Sequence, residues 1–109
     1  MGKKREPEMN SEEMEISRIR TPRKGEVLCL IDTMLGGDRM RARCTDGNER
    51  ICRIPGRLRK RVWMRPGDVI LVKPWEVQGT ERGDVAFRYT GTQANWLKRK
   101  GLLKEIVSD

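Results

Sequence analysis

Ten basic residues fall between Arg39 and Arg65: Arg39, Arg41, Arg43, Arg50, Arg53, Arg57, Arg59, Lys60, Arg61 and Arg65. Only Asp46 and Glu49 oppose them, so this quarter of the chain carries +8, which equals the formal net charge of all 109 residues. The chemistry open to such a set is recognition of phosphate. A guanidinium is planar, stays charged at every physiological pH and meets phosphate oxygens in bidentate fashion. Most charge runs merely keep a small protein soluble. The concentration here, and the bias to arginine, are instead the electrostatic footprint of a nucleic-acid-binding surface.

Spacing sharpens the picture. Arg39-Met-Arg-Ala-Arg-Cys-Thr45 alternates without a break. A strand turns successive side chains to opposite faces, so Met40, Ala42 and Cys44 share one face and Arg39, Arg41 and Arg43 the other, about 7 Å apart. Farther on, Arg57, Arg59, Lys60 and Arg61 surround Leu58, Val62 and Trp63, which can line one side of a short helical turn. Trp63 has two readings: an apolar plug beneath that turn, or an exposed platform for a base.

Little in the chain provides for catalysis. It contains no histidine, the commonest general acid or base and a frequent metal ligand. It has no P-loop pattern, and Ser11, Ser17 and Ser108 lie near the termini. No catalytic residue, metal or cofactor is expected, and the chain reads as a binder rather than an enzyme. Cys29, Cys44 and Cys52 are odd in number and form no C-x-x-C pair. That speaks against a disulfide scaffold and a zinc site, and predicts three small core residues in a reducing cytoplasm.

The elements that must position the arginines follow from pattern. Val27–Ile31 is an apolar run bounded by Lys24-Gly25 and Gly36-Gly37-Asp38, which predicts a buried strand followed by a loop. The alternating strand comes next, then the hairpin signal Asp46-Gly47, a third strand over 49–54 and a helical turn over 57–64. Arg65-Pro-Gly-Asp68 has the form of a type II turn. Val69–Val72 is a fourth strand, with Trp75 and Val77 as candidates to prolong it past Pro74. Asp84–Thr90 is a fifth, with Val85, Phe87 and Tyr89 on one face. Thr92 is the expected N-cap of a helix over 93–100, stopped by Gly101.

Five short strands, with a helical turn between the third and fourth, form the pattern of the OB-fold. The predicted fold is thus mainly β: a five-stranded, S1-like barrel with a C-terminal helix, whose strand 2–3 face binds oligonucleotides. The arginine window covers those same strands. Residues 1–21, with five basic and five acidic residues, read as a disordered tail; 22–97 as the barrel domain; 98–109 as a helical extension and tail. The chain is 36% hydrophobic and 37% charged, so its core must be small. No apolar run is long enough to span a membrane, and no signal-peptide pattern is present. The expectation is a cytoplasmic monomer. Aromatics are few, and Phe87 and Tyr89 read as core, so binding by phosphate contact and shape favours folded RNA over generic single-stranded DNA.

Two stretches carry a specific resemblance. Leu35-Gly-Gly-Asp-Arg-Met-Arg-Ala-Arg-Cys-Thr-Asp-Gly47, and Arg50-Ile-Cys-Arg-Ile-Pro-Gly-Arg-Leu-Arg-Lys-Arg-Val-Trp-Met64 followed by Gly67-Asp-Val-Ile-Leu-Val72, closely resemble the translation initiation factor 1A family. The similarity covers roughly residues 22 to 100. It implies an RNA-binding factor on the small ribosomal subunit near the decoding A site. Such a factor helps to place initiator tRNA on the start codon alongside other initiation factors. Carried over by position, the resemblance implies ribosomal RNA contacts at Arg39, Arg57, Arg59, Lys60, Arg61 and Trp63; strand alternation adds Arg41 and Arg43. Eukaryotic members have a strongly basic N-terminal tail and a long acidic C-terminal one. The balanced N-terminal segment and the ending Val107-Ser-Asp109 fit an archaeal form. The rival reading is a generic OB or cold-shock-type RNA chaperone, which would need aromatics on strands 2 and 3.

Overall fold

The computed structural model describes residues 14, 16–59, 64–103 and 106. Among them, five strands and two helices follow in the order β1 (Val27–Gly36), β2 (Arg39–Cys44), β3 (Glu49–Arg53), α1 (Gly56–Arg59), β4 (Val69–Pro74), β5 (Arg82–Arg88) and α2 (Gly91–Arg99). The strands close into a barrel in the order β1-β2-β3-β5-β4, with β4 pairing back onto β1. Every pair is antiparallel except β3 with β5. This is the five-stranded OB-fold, with its short helix between β3 and β4.

The two apolar runs are apolar because both of their faces are buried. From β1 and β4, Val27, Cys29, Ile31, Ile70 and Val72 point into the barrel and join Met40, Ala42, Cys44, Cys52 and Val85. Their neighbours Leu28, Val69 and Leu71 point outward into a second cluster with Tyr89, Leu97, Leu103 and Ile106. A helix of nine residues is marginal alone, and α2 is held by this cluster, with Leu97 fully buried. Strand β2 has only one apolar face, so its residues alternate strictly between exposed and buried.

Several local expectations need correction. Strand β1 does not stop at Ile31 but continues to Gly36, its second half paired with β2 around two irregularities in register. Strand β4 ends at Pro74, and Trp75 and Val77 lie in the following loop. Val85, Phe87 and Tyr89 do not share a face. A register shift opposite Leu71 and Val72 leaves Val85 inside the barrel and sends Phe87 and Tyr89 to the second cluster; a bulge has this effect on side-chain alternation. The N-cap of α2 is Thr90 rather than Thr92. Its hydroxyl accepts from the Gln93 N–H while the Gln93 side chain accepts from the Thr90 N–H, a capping box. Gly101, at φ 78°, follows the C-cap Lys100. Bonds from Gly101 N to Lys98 O and from Leu102 N to Leu97 O complete a Schellman ending.

The largest departure concerns cysteine. Cys29 and Cys44 face each other across β1 and β2 with Cα atoms 4.0 Å apart, and they form a disulfide. Counting and spacing in sequence argue against a cysteine scaffold, but they cannot see strand register, which brings these two together. Cys52 remains a free, buried thiol, and burial pushes its pKa up to about 12.

Packing also begins before residue 22. Ile19 lies against the second cluster. The Tyr89 hydroxyl donates to the Arg20 carbonyl. The Arg20 guanidinium pairs with Glu26 at 2.7 Å, and the Arg23 N–H donates to the same carboxylate at 2.9 Å. Burial opposes charge on Glu26, yet the Arg23 N–H and the Arg20 guanidinium together hold its pKa below the usual value.

Candidate nucleic-acid interface

The second cluster and α2 pack on outward-facing side chains of β1, β4 and the end of β5. On β2 and β3 the outward side chains Arg39, Arg41, Arg43 and Arg53 are exposed. Register then sets two rows across the sheet. One runs Arg41–Ile51–Arg82 and the other Arg39–Arg53–Asp84; Arg43 stands opposite Glu49. Five guanidiniums thus share one curved face, with two carboxylates among them. The Arg41 Nε lies 3.8 Å from Glu49 Oε1 with both side chains well exposed, a pairing that contributes little and leaves the guanidinium available.

Arg57 is exposed at the start of α1. It lines a cleft of about 380 Å3 with Lys73 and Asp84, so the cleft borders the Arg39–Arg53–Asp84 row. At the other edge, Arg43 and Lys98 line a groove of about 350 Å3 between the barrel and α2. The structure therefore brings Arg39, Arg41 and Arg43 together as the alternation predicts, with Arg57 near one end. Lys60, Arg61 and Trp63 lie outside the described residues, as does the side chain of Arg59.

One arginine of the basic window belongs to the scaffold. Arg50 is 3% exposed. Its Nη1 and Nη2 donate to the two Asp46 oxygens at 3.0 and 2.8 Å, and its Nε donates to the Gly79 carbonyl at 2.6 Å. The hydrogen bonds from Arg50 hold the Asp46 carboxyl below its ordinary pKa. Arg50 thus ties the β2–β3 hairpin to the β4–β5 loop, and it neutralises one of the two acids in the window.

Pattern reading missed Arg53, Arg82 and Trp75 as members of this face. Arg53 is legible as a charge, but Ile51, Cys52 and Ile54 do not alternate strictly, so pattern alone does not set its facing. Arg82 reaches the face only because β5 pairs in parallel with β3, a contact between segments far apart in sequence. Among the described residues no group of three or more cysteine, aspartate or glutamate side chains converges to hold a metal, and no helix is long and apolar enough to cross a membrane.

Fold and face together define a small oligonucleotide-binding-type barrel with an arginine-rich sheet. The family model described as translation initiation factor 1A / IF-1 matches residues 14–109. The chain belongs to that family. It is 56% identical over 93 residues to translation initiation factor 1A of Methanopyrus kandleri, covering 85% of this chain and 83% of that protein. It is 51% identical over 90 residues to the factor of Methanothermobacter thermautotrophicus (83% and 91% covered), and 46% identical over 107 residues to that of Thermococcus kodakarensis (96% and 92% covered). The solution structure of a translation initiation factor of the IF-1 type, from a Wolbachia endosymbiont of Brugia malayi, matches with a TM-score of 0.49 at 24% identity, covering 63% of this chain and 82% of that one.

Proposed function

We propose that this protein binds RNA of the small ribosomal subunit near the decoding A site and promotes placement of initiator tRNA, acting with other initiation factors and without catalysis. The observation that carries the reading is the row of Arg39, Arg41 and Arg43 on the outward face of β2, widened by Arg53 and Arg82 from the neighbouring strands. A rigid sheet with guanidiniums at fixed spacing suits the phosphates of a folded RNA, where shape and backbone contacts dominate recognition. Family membership supports the ribosomal target. Arg57, Arg59, Lys60, Arg61 and Trp63 extend the same surface in this reading. The barrel domain spans residues 22–97, flanked by an N-terminal segment (1–21) whose Ile19 and Arg20 pack onto it and by a C-terminal extension (98–109), and the protein is a cytoplasmic monomer off the ribosome.

The test is sedimentation with purified small subunits, followed by chemical footprinting of the bound subunit's RNA. The protein should co-sediment with the subunit and protect nucleotides of the decoding A site. An Arg39→Gln/Arg41→Gln/Arg43→Gln variant should leave those nucleotides exposed. Protection scattered over the subunit, unchanged in the variant, would favour a general RNA chaperone instead.

A further inference from the structure

Trp75 is a large side chain with no place in either core. It belongs to neither apolar cluster and is 37% exposed. Even so, it is held firmly. Its indole Nε1 donates to Asp84 Oδ1 at 2.9 Å, and the other oxygen of Asp84 receives Arg53 Nη2 at 3.3 Å. Its backbone N–H donates to the Arg82 carbonyl at 3.1 Å. Gly79 passes so close to the Trp75 carbonyl that a Cβ there would sit 2.5 Å from the oxygen, and Gly79 is in turn gripped by the buried Arg50. An indole fixed in this way outside both apolar clusters offers its exposed part as a presented surface.

Its surroundings say what it is presented to. The guanidinium carbons of Arg53 and Arg82 lie 5.9 and 6.0 Å from the ring centroid. Beside the ring is a pocket of about 130 Å3 lined by Arg39, Ile51, Cys52, Arg53, Trp75 and Arg82. Three of those six side chains are arginines, which disfavours a purely apolar guest and an ordinary hydrophobic protein contact. An aromatic face beside several guanidiniums fits a flat π system attached to an anion, which is a nucleotide.

We propose that Trp75, Arg39, Arg53 and Arg82 form a seat for one unstacked RNA nucleotide. The base lies against the indole, and the flanking phosphates meet Arg39 and Arg82. Asp84 is a positioning residue that orients the indole and Arg53 together. The site rests on the RNA-binding reading above and refines it, adding a single-strand contact to a face otherwise suited to phosphates.

The test compares the wild-type chain with Trp75→Leu and Trp75→Phe, using two probes: a single-stranded hexauridylate and an RNA duplex of similar length, which offers no unstacked base. Trp75→Leu should weaken hexauridylate binding about 5- to 150-fold, leave duplex binding within about twofold and keep the wild-type salt slope. Trp75→Phe should recover most of the loss. Wild-type affinity of Trp75→Leu for hexauridylate would overturn the proposal. So would an equal loss on both probes, which would mean that the indole only orders the arginines. A second measurement needs no variant: hexauridylate carrying 4-thiouridine, irradiated with the wild-type chain, should cross-link within the peptide containing Trp75, and cross-links confined elsewhere would overturn the site. Wild-type protein that fails to bind small subunits would instead refute the wider reading, whatever Trp75 does.

Discussion

The Arg50 guanidinium is buried in the barrel wall and holds the Asp46 carboxylate by two parallel hydrogen bonds of 3.0 and 2.8 Å. The third bond, to Gly79, makes this arginine a clasp between two loops. Arg50→Ala should therefore act on stability. Losing a buried charged donor that satisfies both a carboxylate and a carbonyl should cost about 2–4 kcal/mol. The salt slope of RNA binding should not change, because Arg50 meets no phosphate. Denaturant unfolding and a salt titration of the same variant check both halves. An unaltered unfolding midpoint with a flattened salt slope would show Arg50 to be a surface contact.

The Cys29–Cys44 disulfide links residues 15 apart. In the chain-entropy model a loop of that length is stabilised by about 3 kcal/mol. A reductant should lower the wild-type melting temperature by several degrees and leave a Cys29→Ala/Cys44→Ala variant unmoved. Superimposable wild-type melts with and without reductant would show that the two sulfurs are not joined in solution.

Much of the site was legible because it rests on local periodicity. Arg39-Met-Arg-Ala-Arg-Cys44 states its own facing, and the structure keeps it residue by residue. The apolar runs of β1 and β4 announced burial on both sides for a reason now visible, since a barrel interior and a helix-covered exterior flank the same strands. What escaped depended on partners distant in the chain. Arg50 looked like one more surface charge until Gly79 and Asp46 closed on it. Cys29 met Cys44 only through strand register. Thr92 satisfied the rule for a cap, but the box with Gln93 selected Thr90. Trp75 reads as a prolongation of the fourth strand, whereas its exposure beyond the strand-ending Pro74 is a property of the loop that composition does not carry.

The N-terminal approach to β1 should matter more than its polar composition suggests. A chain beginning at residue 18 keeps Ile19, Arg20 and their partners; one beginning at residue 22 loses the Ile19 packing, the carbonyl that receives Tyr89 and the Arg20–Glu26 pair. The shorter chain should be less stable by about 2–3 kcal/mol. The two chains should also differ in acid. The Glu26 pKa is lowered in the fold, so its contribution is present above the ordinary value of 4.5 and is lost as pH falls through the folded value. Between neutral pH and about pH 3 the gap between the two unfolding midpoints should narrow by the Arg20–Glu26 part alone, because the Ile19 packing and the Tyr89 bond do not titrate there. Equal midpoints at neutral pH would show that the strap carries no stability.

Alkali should expose the buried acids. Cys52 rises from 9.0, and Tyr89 from 10.0, to about 12 in each case. Both groups keep their protons in the fold after the unfolded chain has lost them. The stability they confer is full below about pH 9 and is lost as pH climbs toward 12. Cys52→Ala should show a shallower decline of unfolding free energy over this range than the wild type. Parallel declines would place the Cys52 thiol in contact with solvent.

The central claim is that the outward arginines of β2 bind small-subunit RNA through its phosphates. Affinity for purified small subunits, measured against salt concentration for the wild type and for Arg39→Gln/Arg41→Gln/Arg43→Gln, tests it most directly. Neutralising about five phosphates predicts a slope of log K on log salt near −4, and removing three contacts should bring it to roughly −1 to −2 with melting unchanged. Equal affinity and equal slope for the folded variant and the wild type would contradict the account.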